Sequence, residues 1–327
     1  MDQYIIDGDW GSDEMLLAAV LLNAPEHYKI LGATSCFGNA PVKNCTENAR
    51  RLLHFLGAPH IEVFQGAASP TNEPAPVGDD AHGHDGIGGV HLPLPRTTAP
   101  RPAMSAVDFI LETLRVQPAH SVTITATGPL TNIAQAFAKD PNTMRRVKQI
   151  IIMGGCLRDI PAKDRPTRRG NITPHAEFNF YMAPQDANTV LASGLPITLA
   201  PMECTQQLAF TTENRMQLNN ALRRDPIKMN AVRRLTCVSD AIDQEKFGSK
   251  QFLHDVHCAL IALHPELYET RVAGVHVSTD DAMRGFSSTS PFGSVRVATE
   301  LKDPKRAFNI VCDSLQQRLI TPRFYGR

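Results

Sequence analysis

The chain has 327 residues, with 33 Lys plus Arg against 33 Asp plus Glu and 42% hydrophobic residues. That balance fits a folded globular protein and excludes a disordered polyelectrolyte; with no basic excess to neutralise phosphates, nucleic acid is not expected as a partner. The seven cysteines, Cys36, Cys45, Cys156, Cys204, Cys237, Cys258 and Cys312, are odd in number, scattered and never in a C-x-x-C pair. They point to reduced thiols in a cytoplasmic protein rather than a disulfide framework or structural zinc.

The chain enters apolar sequence at once with Tyr4-Ile5-Ile6 and shows no signal-peptide pattern. Residues 4–7 read as a strand, 13–23 as a helix, 28–35 as a strand, 42–56 as a helix and 61–65 as a strand. The longest apolar stretch, 15–22, is far short of the roughly 20 residues that cross a bilayer, so no membrane partner is expected. Residues 66–102 carry Pro70, Pro74, Pro76, Pro93, Pro95, Pro100 and Pro102 with a Gly/His cluster and read as a long loop. Then follow a helix at 105–117, a strand at 121–126, a helix at 130–139 and a strand at 149–153. A second long loop covers 156–176, a helix 184–193, a strand 197–201, and a third irregular stretch, 239–256, precedes a late apolar helix. Strands alternating with helices predict a single α/β domain over residues 1–327, with a mostly parallel central sheet flanked by helices. In such sheets ligands sit beyond the carboxyl ends of the strands, and long loops carry function.

Asp7, Asp9, Asp13 and Glu14 fall within eight residues at the end of the first strand and the start of the first helix. Gly8 and Gly11 allow a tight turn between them. Carboxylates this close repel unless a cation or protons intervene, and hard oxygen ligands at short spacing suit Ca²⁺ or Mg²⁺. Helix capping accounts for Asp13 and Glu14 but not for Asp7 and Asp9. A D-x-D after a first strand also fits an aspartyl-phosphate phosphohydrolase with Asp7 as nucleophile, although Gly11 stands where those enzymes carry Thr or Val.

Further segments occur in order: Cys36-Phe37-Gly38-Asn39, His82-Gly83-His84-Asp85-Gly86-Ile87-Gly88-Gly89, Thr125-Ala126-Thr127-Gly128-Pro129-Leu130-Thr131-Asn132-Ile133-Ala134 and Ile152-Met153-Gly154-Gly155. Gly170-Asn171, Ala176-Glu177-Phe178-Asn179 and His254-Asp255 complete the set. Together with the opening cluster they resemble the inosine-uridine-type nucleoside hydrolases, from about residue 4 to 315.

The resemblance implies a Rossmann-like nucleoside hydrolase fold, a ribonucleoside substrate cleaved to free base and ribose in purine or pyrimidine salvage, Ca²⁺ as cofactor, and a homodimer or homotetramer. It implies that Asp9 ligates Ca²⁺ and serves as general base. Asp7 orients the site from behind, and Asp13 bonds a ribose hydroxyl. Glu14, the Thr127 carbonyl and Asp255 complete the metal site, with Asp255 also facing substrate. Asn39, Asn171, Glu177 and Asn179 grip the ribose, and Met153 lines the pocket below the sugar. His254 is the implied acid for the leaving base, and His82 a base or sugar contact; an imidazole titrates near neutrality and suits that task.

Two departures stand out. Glu14 replaces the family's second consecutive Asp with a stem one methylene longer, which bears on metal affinity and turnover; a nucleoside-binding protein that has lost turnover is the corresponding alternative. Trp10 stands where the family commonly has Pro, and core packing is its expected role. The basic segment 158–169 is longer than the family leads one to expect and reads as a solvated loop, with a lid or subunit contact as the sharper alternative. The preferred base is not legible; Phe247 is a candidate contact.

Overall fold

The computed structural model describes residues 2–23, 28–74, 76, 82–92, 103–157, 170–236 and 251–318; the basic segment 158–169 and Phe247 lie outside them. The strands are β1 (Asp2–Gly8), β2 (Tyr28–Ser35), β3 (Val63–Gln65), β4 (Val122–Ala126), β5 (Gln149–Met153), β6 (Ile197–Ala200), β7 (Tyr268–Val277) and β8 (Ser287–Leu301). They form one sheet in the order β3-β2-β1-β4-β5-β6-β8-β7. Every neighbouring pair is parallel except the antiparallel β7–β8 hairpin. The expected α/β sheet is therefore present, with one addition that local pattern did not announce. The β7–β8 hairpin closes one edge, its register slipping between Ala273 and Gly274, and the continuously exposed middle of β8 hides the alternation that marks a strand.

The helices are α1 (Glu14–Leu22), α2 (Val42–Phe55), α3 (Ala106–Val116), α4 (Thr131–Lys139), α5 (Pro141–Met144), α6 (Phe178–Met182), α7 (Pro184–Leu191), α8 (Met202–Thr205), α9 (Thr212–Leu222), α10 (Pro226–Thr236), α11 (Val256–Leu263) and α12 (Pro304–Arg318). Successive β1 side chains serve opposite faces: Tyr4 and Ile6 join the core with α1, α2, α11 and α12, while Ile5 joins the core with α3, α4 and α7. Each fully buried Leu or Ile on these faces contributes about 1.5–3 kcal/mol.

Two helices are set apart by their apolar composition. The sequences Glu-Met-Leu-Leu-Ala-Ala-Val-Leu-Leu of α1 and Val-His-Cys-Ala-Leu-Ile-Ala-Leu of α11 are apolar almost all round, so both are buried, and they pack against each other. Each begins beside acidic residues, Asp13-Glu14 for α1 and Asp255 for α11. The positive ends of two buried helix dipoles thus meet the carboxylates there. The strand order adds the position: from β1 the chain builds outward through β2 and β3 on one side, and from β4 through β5 and β6 on the other. The crevice beyond β1 and β4 is the switch point of the sheet, where open α/β folds bind ligands.

Candidate active site

Asp7 lies near the carboxyl end of β1, within its buried run, and is itself fully enclosed. Its Oδ1 accepts hydrogen bonds from Thr34 Oγ1 at 2.5 Å and Asn132 Nδ2 at 2.7 Å, while Oδ2 has no partner. Burial raises its pKa to about 6 against the opposing pull of those donors. Asn132 also donates to the Ser35 carbonyl and accepts from the Ala67 N–H, stitching β1, β2 and the long loop together. The Thr127 N–H donates to the Asp7 carbonyl at 2.9 Å and fixes the end of β4 against β1.

The turn after Asp7 works differently from the sequence expectation. Its left-handed residue is Trp10, with φ of +36°, and not a glycine. A bulky residue there is strained. Complete burial of the indole and its Nε1 hydrogen bond to the Thr34 carbonyl at 2.8 Å hold it in place. Trp10 is therefore a core residue, as expected. The two glycines are required for closeness: a Cβ on Gly8 would lie 2.8 Å from Thr127 Oγ1 and 2.9 Å from Glu14 Oε1, and one on Gly11 would lie 2.5 Å from Asn39 Nδ2.

Asp9 is buried, and its Oδ2 accepts the Asn39 N–H at 2.9 Å. Burial pushes its pKa up to about 7; a hydrogen bond from Glu14 and the Asn39 N–H pull the other way. The Asp9–Glu14 contact lowers the one group and raises the other, so the two carboxyls titrate as a pair. Glu14 is fully enclosed, and burial, followed by the charges of Asp9 and Asp13, holds it well above the carboxylate range. Its Oε2 accepts the Gly11 N–H at 2.8 Å and its Oε1 a longer contact from Thr127 Oγ1 at 3.5 Å.

Asp13 and Asp255 occupy the N-cap positions of α1 and α11, yet neither side chain makes a capping hydrogen bond. The capping explanation of Asp13 fails on that geometry. Burial, then the charges of Glu14, Asp13, Asp9 and Glu177, raise Asp255. Acids from both ends of the chain therefore share one space.

Glu177 caps α6: Oε1 accepts the Asn179 N–H at 2.7 Å, and Oε2 accepts those of Gly155 at 2.8 Å and Phe180 at 3.1 Å. Burial nonetheless raises its pKa to about 7. A carboxylate has about four acceptor positions, so one remains for a ligand. Asn179 spends its amide donors on the carbonyls of Thr127 at 3.2 Å and Met153 at 3.1 Å, leaving Oδ1 to accept. Asn171 Oδ1 is taken by the Phe178 N–H at 2.8 Å, which leaves its amide to donate. Asn39 is half-buried beside Gly11.

His254, half-buried ahead of α11, bonds Thr205 Oγ1 through Nδ1 at 2.7 Å. Burial lowers its proton affinity; Asp13 raises it and His82 lowers it, so both lie near the ring. His82 Nδ1 approaches Ser12 Oγ at 3.4 Å. The site residues foreseen in the sequence thus gather at the carboxyl edge around β1 and β4. Thr205, Ser12 and Thr34 were missed and carried no local signal; Asn132 stood in a recognised segment without a role.

The donor set fits a hard cation. Asp9, Glu14 and Asp255 carry enclosed carboxylates, none ion-paired with a described Lys or Arg, and the Thr127 carbonyl has a lone pair beyond its bond to Asn179. The unpartnered Oδ2 of Asp7 marks a buried acceptor that some group outside the chain would satisfy. Among the described residues, no three His, Cys, Asp or Glu side chains already stand in ligand geometry, so an ion would have to draw these carboxylates inward.

Comparison with known proteins bears on the family. Residues 4–312 match the family model for inosine-uridine preferring nucleoside hydrolase. A protein of Schizosaccharomyces pombe of uncharacterised function is 36% identical over 282 residues, covering 85% of this chain and 86% of its own. The pyrimidine-specific ribonucleoside hydrolase RihA of Citrobacter koseri is 32% identical over 276 residues, covering 84% of this chain and 83% of its own. The solved structure of a purine-preferring ribonucleoside hydrolase from Gardnerella vaginalis superposes with a TM-score of 0.83 at 25% identity, over 96% of this chain and 98% of that one. The chain belongs to the inosine-uridine preferring nucleoside hydrolase family and is an N-glycosyl hydrolase of ribonucleosides.

Proposed function

We propose that the whole chain forms one domain that hydrolyses pyrimidine ribonucleosides to free base and ribose at a Ca²⁺ site made by Asp9, Glu14, the Thr127 carbonyl and Asp255. The observation that carries this reading is the enclosure of several carboxylates with no ion pair to a described Lys or Arg. The all-oxygen donor set favours Ca²⁺. The pyrimidine assignment rests on the relative of 32% identity named for that specificity, set against a structural neighbour of 25% identity named for purines. A homo-oligomer is expected from the family resemblance.

A divalent cation held by Asp9, Glu14, the Thr127 carbonyl and Asp255 would offset their charge and would lower the pKa of a nearby water. Asp9 accepts the proton of the attacking water, and Asp7 behind it fixes the floor of the site. Asp13, Asn39, Asn171, Glu177 and Asn179 hold the ribose hydroxyls in one pose, and Met153 lines the pocket below the sugar; such positioning lowers the barrier by several kcal/mol. As the N-glycosidic bond breaks, its electron pair leaves with the base and positive charge grows on the ribose, which the surrounding carboxylates stabilise. His254, in its protonated form, delivers a proton to the base, and His82 contacts base or sugar. Lowered proton affinity makes His254 the stronger acid while reducing the charged fraction.

The test is base release from uridine, cytidine, inosine, adenosine and guanosine, with and without a chelator. Release from uridine and cytidine that fails after chelation and returns with Ca²⁺ is expected. No release from any nucleoside would overturn the activity; purine release alone would overturn the specificity.

A further inference from the structure

We propose that Thr205 is the positioning residue for His254, holding Nδ1 against the protein so that Nε2 is the nitrogen that exchanges a proton with the leaving base. This rests on the reading of His254 as the acid. Thr205 closes α8, immediately after β6, and is completely buried. Its N–H is tied to the Pro201 carbonyl at 3.0 Å, so the hydroxyl starts from a fixed backbone. The hydroxyl oxygen lies 2.7 Å from His254 Nδ1 and 3.4 Å from the Met202 carbonyl; with its single proton turned to that carbonyl, it accepts from Nδ1–H of His254. The partner of one ring nitrogen decides the tautomer, so in the neutral ring the proton sits on Nδ1 and Nε2 is free to gain and lose one.

Nε2 of His254 makes no hydrogen bond to a described residue, and it is not among the enclosed atoms that lack a partner. It is therefore accessible, on a ring that feels the charges of Asp13 and His82. His257, three residues on, shows the opposite arrangement: its Nδ1 pairs with the Tyr268 hydroxyl at 2.9 Å, and its Nε2 is sealed without a partner. One histidine is built to exchange and the other to pack. The step balances simply. The base gains the Nε2 proton with the electron pair of the broken bond, the neutral ring keeps Nδ1–H on Thr205, and Nε2 recovers a proton from solvent.

Thr205→Val keeps the side-chain shape and removes the acceptor. On uridine its kcat is expected to fall about 100-fold, the lower end of general acid–base contributions, with KM within about threefold. On 4-nitrophenyl riboside, whose phenolate departs without protonation, kcat/KM should stay within about twofold of the parent, and Thr205→Ser should restore uridine turnover to within about fivefold. Unchanged uridine turnover in Thr205→Val, equal loss on both substrates, or failure of Ser to restore it would each overturn the assignment. Nitrogen-15 imidazole spectra decide separately from activity: His254 should be an Nδ1–H tautomer that shifts toward Nε2–H in Thr205→Val, and an unchanged tautomer would sink the proposal. Should Thr205→Val not fold, Thr205→Cys, with similar volume and a weaker acceptor, replaces it in both measurements. A parent enzyme that cleaves neither substrate would instead overturn the functional reading, leaving the spectra to judge Thr205.

Discussion

Around β1 and β4, the carboxylates of Asp7, Asp9 and Glu14 are enclosed, and each is held by donors from the backbone or buried side chains. The histidines stand on loops: His254 has one described side-chain hydrogen bond, to Thr205, and His82 approaches Ser12 at the long distance of 3.4 Å. The acidic side stores like charge at a cost that a cation offsets, and its rigidity suits a fixed ribose and metal. The histidine side differs in offering a ring nitrogen, Nε2 of His254, that is neither enclosed nor bonded to a described residue. On the proposed function, chemistry common to all nucleosides would belong to the first region and contact with the base to the second.

The largest effect expected comes from removing what the rigid region grips. With 2′-deoxyuridine the acceptors prepared by Glu177 and Asn179 go unpaired, and kcat/KM should drop about 10⁴-fold against uridine; parity would break the ribose assignment. Next is Asp9→Asn, expected to lower kcat about 1000-fold, the middle of the range for a general base. In the metal-free protein the same change should raise the Tm, because it removes a buried charge beside Glu14 and Asp255. A fall in Tm would show that those charges are already balanced.

His254→Gln tests the second region. A drop of about 100-fold on uridine with little change on 4-nitrophenyl riboside is expected; equal losses would make His254 structural.

The stored charge also predicts a pH dependence. Folding raises Asp7 to about 6 and Glu177 to about 7, chiefly by burial. Raised carboxyl groups stabilise the fold at low pH and cease to do so once pH passes their folded pKa. For the metal-free protein, the contribution of these two groups should be full near pH 4, shrink between about 4 and 7, and be gone above. Thermal unfolding with added Ca²⁺ should show a larger gain at pH 8 than at pH 5, and an equal gain at both would argue against a carboxylate site. The smallest effect belongs to Trp10→Phe, which removes the donor to the Thr34 carbonyl and should cost about 1–2 kcal/mol by denaturant unfolding while leaving KM for uridine near parent values.

Much of this was legible in the chain. The strands at 28–35 and 149–153 were placed as they occur, because buried parallel strands are short apolar runs bounded by turns. The acidic cluster was legible because its members lie within eight residues, and the downstream motifs tied Glu177, Asn179 and Asp255 to it. The β7–β8 hairpin was not legible, since the exposed middle of β8 lacks the alternation of a half-buried strand.

By itself the sequence determined the parallel α/β sheet, the oxygen-rich site at the end of β1 and the family, all through local period and contiguous motif. Only the tertiary structure decided that Trp10 and not a glycine takes the left-handed turn, that Asp13 leaves its cap unused, and that Asp7 keeps one oxygen unpartnered. It alone brought Thr205 to His254 and separated that ring from the sealed His257. The reason is physical: these facts depend on burial and on hydrogen bonds between segments far apart in the chain, and such contacts impose no period on either segment.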